Sequence, residues 1–284
     1  MKYPEILSIR PEPVLSAYTD KDTMLYALSV GMGADPQTAE REFPFVYEKT
    51  LRTLPTFSAL LAKGTDKILD GGAINISMIL HGEQRLRVHK PLPPAARIRS
   101  SARCLNVIDK GAGKGALLFS ECLIADADTG EPYCTTIMTL VCRADGGFGG
   151  PSEGGLALHE MPTGPHHKEV ALRTRPDQAL LYRLNGDRNP LHADPVAAKK
   201  AGFDKPILHG LCSYAFACRA VLMAYCDFDQ TKIRSFDVRF SSPVYPGETI
   251  VTRLWKTGPV VSFECNVAER NVTVIKNGRC DLAE

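Results

Sequence analysis

Apolar and polar positions along the chain fall into two similar series, each opening on short helical patterns and closing on long β-type runs. In the first, Asp20 or Asp22 caps a helix through about Gly31, with Met24, Leu25, Leu28 and Val30 apolar. Pro55 opens a second short helix that carries Phe57, Leu60 and Leu61 and stops at Gly64. Strands are predicted at Arg97–Ile108, Ala116–Ala125 and Tyr133–Cys142, the last dense in β-branched residues. In the second series, Pro176–Leu184 reads as a helix ending at Asn185-Gly186, and Asp194-Pro195 starts another that ends at Gly202. Leu211–Cys226 is apolar almost all round, which marks a helix buried on most sides. Four strands follow, around Ile233–Phe240, Thr249–Lys256, Val260–Ala268 and Val272–Ile275.

Between the series lies Ala144–Pro165, rich in Gly and Pro and without apolar period, which reads as a linker between halves 1–150 and 151–284. Pro91-Leu92-Pro93-Pro94 and Pro243-Val244-Tyr245-Pro246 stand 152 residues apart, each just before a strand, as in an internal repeat. The pattern predicts one buried helix wrapped by a long antiparallel sheet, present twice, an α+β architecture.

Composition adds mainly exclusions. With 44% apolar and 23% charged residues the chain is globular, not disordered or fibrous. A net charge of +2 is too small to make nucleic acid or an acidic membrane the main partner. No apolar run reaches the roughly 20 residues of a membrane span. The N-terminus lacks an apolar leader and the C-terminus is not a Ser-Lys-Leu peroxisomal tail, so a stand-alone, cytoplasmic protein of bacterial type is expected, with a peroxisomal one as the alternative for a eukaryotic source. Nine cysteines without a C-x-x-C pair fit reduced, packed thiols. His166-His167 has no partner at ligand spacing, so no metal is expected.

The informative stretch is Tyr182 to Pro195. Gly186 permits a tight helix end and Pro190 stiffens the next turn, so Asp187 and His192 share one rigid loop. A carboxylate and an imidazole aimed at one small volume suit concerted addition or removal of water, with Asn189 between them able to orient either. A turn aspartate and a satisfied loop histidine are the ordinary alternative for such a pair.

The full string Asn185-Gly186-Asp187-Arg188-Asn189-Pro190-Leu191-His192 resembles the hydratase 2 signature of the MaoC-like family. The likeness continues through Lys205–Gly210 and Phe240–Glu248. Upstream, Leu54–Phe57, Leu80–Gln84, Asp109–Gly111 and Gly146–Gly150 resemble the hydratase part of peroxisomal multifunctional enzymes of type 2. The resemblance implies a double hot-dog fold and reversible hydration of a trans-2-enoyl-CoA to a (3R)-3-hydroxyacyl-CoA. It implies Asp187 and His192 as the catalytic pair, Asn189 as their support, and the Gly210 N–H as an oxyanion donor. It further implies His81, Gly82, Lys110, Arg188, Pro190, Leu191 and Phe240 as substrate contacts. His209 is expected to be structural. The first half lacks the signature and is expected to be catalytically silent, making room for the acyl chain through residues such as Leu54, Phe57 and Leu60. No cofactor is expected beyond the CoA of the substrate, and a homodimer is expected from the family. A non-catalytic acyl-CoA-binding protein and a hot-dog thioesterase stand as alternatives.

Overall fold

A computed structural model describes residues 1–283. The first half contributes β1 (Val14–Tyr18), β2 (Ile79–Val88), β3 (Ala96–Asp109), β4 (Ala116–Asp126) and β5 (Pro132–Cys142). The second contributes β6 (Lys168–Arg173), β7 (Ile233–Phe240), β8 (Thr249–Thr257), β9 (Val260–Val267) and β10 (Val272–Leu282). They form one antiparallel sheet of ten strands in the order β1-β3-β4-β5-β2-β7-β10-β9-β8-β6. Each half therefore keeps its strands together. The halves join where β2 pairs with β7, at Glu83↔Arg239, Gln84↔Val238 and Arg87↔Ser235.

The short helices are α1 (Asp20–Ser29), α2 (Ala39–Glu42), α3 (Ser58–Leu61), α4 (Thr65–Gly71), α5 (Gln178–Tyr182) and α6 (Pro195–Lys200). The cap of α1 is Thr19 and not Asp20 or Asp22 as expected: Asp22 lies at the third helical position and closes a capping box with Thr19. The long helix α7 (Gly210–Val221) continues as a wider π-helical turn through Cys226. Every residue from Cys212 to Val221 is buried, as the all-round apolar pattern requires. It packs on β6, β7 and β8 and on the turn Pro55–Phe57 of the first half.

The expected repeat of that helix is absent from the first half. Pro55 and Gly64 confine the helical stretch there to Pro55–Phe57 and α3, which pack on β2 and β5, while α4 covers β3. The segment 144–165 also departs from a loose linker. It has no regular structure but is pinned across the sheet. Asp109 accepts from the N–H groups of Gly111, Gly147 and Gly149 at 2.7–2.8 Å. Asn106 donates to the Gly154 carbonyl, Arg85 to that of Ala157 and Asn277 to that of His159. All nine cysteines are buried thiols. Among the described residues no helix is long and apolar enough to cross a membrane.

Candidate active site

The string 185–192 folds as a chain of local hydrogen bonds. Asn185 closes a 3-10 turn and donates to the Tyr182 carbonyl (2.8 Å) and to Ser29 Oγ (2.9 Å), which ties the loop to α1 of the first half. Gly186 takes φ +114°, a conformation that other residues rarely adopt. The Asp187 carboxylate then accepts from the Asn189 N–H at 3.3 Å. Asn189 Oδ1 accepts from the Leu191 N–H at 3.0 Å and so caps the 3-10 turn Pro190–His192. Pro190 at the first position of that turn lacks an N–H that would otherwise go unpaired.

His192 Nδ1 lies 2.9 Å from the Ile207 carbonyl. A carbonyl only accepts, so Nδ1 carries the proton and Nε2 is bare. Burial lowers the basicity of this imidazole below its ordinary value of 6.5, against the opposing pull of the Ile207 carbonyl and Asp187. The ring stacks on His209 at 3.7 Å between centroids, 25° from parallel. Polar atoms of Asp187, His192 and His209 all lie within 4.8 Å of one another.

These groups open on a cleft of about 340 Å³ whose other walls are largely apolar, among them Leu80, Phe203, Leu211, Pro243 and Val274. Asn189, Leu191, Gly210 and Phe240 line it as well. Gly210 opens α7, where first-turn N–H groups have no intrahelical acceptor. The first half supplies Ile79, Leu80 and His81. His81 meets the Phe240 ring edge-on at 5.1 Å and donates from Nε2 to the Glu83 carbonyl, and burial pushes its pKa down to about 4.

Two family models match the chain in tandem, an MFE-2 hydratase 2 N-terminal domain over residues 16–144 and a MaoC like domain over 159–278. A 3-hydroxyacyl-thioester dehydratase Y of Mycobacterium tuberculosis is 38% identical over 90% of this chain and 88% of its own length. A peroxisomal enoyl-CoA hydratase 2 of Arabidopsis thaliana is 37% identical over 91% of this chain and 88% of its own. The chain belongs to the MaoC-like hydratase 2 family. The crystal structure of a MaoC-like dehydratase from Phytophthora capsici superposes with a TM-score of 0.86 at 30% identity, covering 100% of this chain and 99% of the other. A Mycobacterium tuberculosis protein with a double hotdog fold superposes at 0.56 and 11% identity over 96% of each chain. The ten-stranded sheet around α7 is this hot-dog architecture, one half of it without its long helix.

In this MaoC-like chain the structure gathers His81, Asp187, Asn189, Leu191, His192, Gly210 and Phe240 around one cleft. Gly82, Lys110, Arg188 and Pro190 do not line it. Gly82 is the extra residue of a β-bulge between His81↔Leu140 and Glu83↔Thr139, which turns His81 toward the cleft. Lys110 is exposed on the turn after β3, and Arg188 and Pro190 are exposed on the loop. Leu54 and Phe57 belong to the packed core, with Leu60 against it, and none of the three borders the cleft. His209, expected to be structural, stands inside the site. Only the fold brings it to Asp187, 22 residues earlier, and no spacing signal in the sequence announces that contact.

Proposed function

We propose that this enoyl-CoA hydratase of the hydratase 2 type adds water reversibly to a trans-2-enoyl-CoA and forms the (3R)-3-hydroxyacyl-CoA. The observation that carries the reading is the bare Nε2 of His192 beside the Asp187 carboxylate at an apolar cleft, with Nδ1 already committed to Ile207. His192 Nε2 takes a proton from water as the water oxygen bonds to the β-carbon. The double-bond electrons move onto the thioester, the imidazolium passes its new proton to the Asp187 carboxylate, and Asp187 delivers that proton to the α-carbon, so the pair ends as it began.

Charge that builds on the thioester oxygen meets the Gly210 N–H and the positive end of α7. Asn189 holds the turn that carries His192. The mainly apolar wall suits an acyl chain, to which the first half gives Ile79, Leu80 and His81 but no acid or base of its own string. Addition of water transfers no electrons, so the reading needs no cofactor. A homodimer belongs to the same reading, on the family resemblance alone.

The test pairs Asp187→Asn and His192→Gln with the parent in hydration of crotonyl-CoA. Each substitution is expected to lower kcat by at least about 10² while butyryl-CoA still binds. Full activity in either variant, or release of free CoA thiol in place of hydration, rejects the assignment.

A further inference from the structure

We infer that His209 is a positioning residue for the Asp187–His192 pair, a role that rests on the hydratase reading above. Its Nε2 lies 3.1 Å from the main-chain carbonyl of Asp187, which only accepts, so Nε2 carries the proton. This N–H tethers the backbone that presents the Asp187 carboxylate. The face of the same ring supports His192 at 3.7 Å. One side chain thereby touches both ends of the six-residue loop Asp187–His192, whose other tie to a distant segment is His192 Nδ1 to the Ile207 carbonyl. On its other side the ring lies 4.8 Å from Tyr182, itself fully buried.

His209 cannot serve as a second acid at neutral pH. It is 1% exposed, and burial and the neighbouring His192 push its pKa down to about 4. Asp187 pulls the other way and Arg183 with the shift, but neither reverses it. Its Nδ1 is buried with no hydrogen-bond partner, so a proton there would be a buried, unpaired charge. A ring that stays neutral can stack on His192 while His192 gains and loses its proton.

The two contacts are separable by substitution. His209→Phe keeps a flat ring against His192 but has no donor for the Asp187 carbonyl. His209→Gln keeps an N–H donor at a similar reach but removes the ring. With crotonyl-CoA, His209→Phe is expected to lower kcat about tenfold or more with KM within about twofold, because a small misplacement of a catalytic group acts on the reacting geometry. His209→Gln is expected to recover most of that loss. Equal kcat in His209→Phe and the parent, or no recovery in His209→Gln at unchanged melting temperature and butyryl-CoA affinity, overturns the tether.

Should both variants fail to fold, imidazole nitrogen NMR of the parent protein decides. It is expected to find His209 as the neutral Nε2–H form at neutral pH, the tautomer that donates to the Asp187 carbonyl. The Nδ1–H form, or an imidazolium, contradicts the inference. A parent that hydrates no enoyl-CoA but shows this tautomer refutes the activity and not the tether.

Discussion

Glu42 on α2 and Arg219 on α7 form a salt bridge between the two halves, Nε to Oε1 at 2.6 Å, with side chains 0% and 4% exposed. The second carboxylate oxygen accepts from the Gly33 N–H at 2.7 Å. Glu42→Ala removes both acceptors at once and leaves the Arg219 guanidinium in the core without its carboxylate. Breaking a buried pair in this way costs roughly 3–5 kcal/mol, far more than an exposed pair would. For a chain of this size each kcal/mol moves Tm by about 2–4 °C, so a fall on the order of 10 °C is expected. Replacing both partners, as Glu42→Leu with Arg219→Met, removes the stranded charge and should restore most of the loss. Urea and thermal unfolding of the parent, Glu42→Leu, Arg219→Met and the double variant give the coupling directly. Neither residue lines the cleft, so kcat per folded molecule should stay at the parent value. A loss below about 1 kcal/mol in Glu42→Ala, or a double variant no better than the single, would refute the stranded-charge argument.

Three further outcomes follow from particular contacts. A Cβ at Gly82 would stand 3.0 Å from Val141 Cγ2 and 3.3 Å from the Thr139 carbonyl, so Gly82→Ala should disturb the bulge, displace His81 and lower crotonyl-CoA turnover by about tenfold. Asp109→Asn should leave turnover unchanged but expose 144–165 to limited proteolysis. Because N–H donors hold the Asp109 carboxyl below its ordinary value of 3.8, its stabilisation is present above that pH and lost as the pH falls through its lower folded value. The pKa of His192 is lowered from 6.5 by burial, so the acid limb of kcat should have its midpoint below 6.5, read from initial rates across a buffer series. An acid limb lying above 6.5 would contradict the burial of that ring.

Much of the fold is legible where one element buries a continuous face. The buried helix, the strands β3 to β5 and β7 to β9, and the loop carrying Asp187 and His192 stand close to their predicted places. Three strands escape the pattern for different reasons. β1 and β6 are the two edges of the sheet, short and partly solvated, with polar residues that blur the apolar period. β2 is central, yet its Gly82 bulge and its Glu, Gln and Arg residues give it a weak β signal. β10 runs past its expected end near Ile275 to Leu282, through an irregularity at Asn277-Gly278 that breaks its alternation inside the strand.

Contacts between distant residues are the other blind spot. The glycines of 144–165 read as a linker because their partners, Asp109, Asn106 and Arg85, lie far away in sequence. The same holds for His209, whose neighbours are set by where α7 begins. Sequence spacing points to Asp187 and His192 but not to the His209 ring that contacts both.

The most direct measurement is the handedness of the product. The purified protein is mixed with trans-2-decenoyl-CoA, the loss of the conjugated thioester absorbance is followed, and the 3-hydroxyacyl-CoA is resolved on a chiral column. The account predicts water addition that yields the (3R) alcohol alone and that vanishes in Asp187→Asn. A (3S) product, or hydration that survives that substitution, would contradict it.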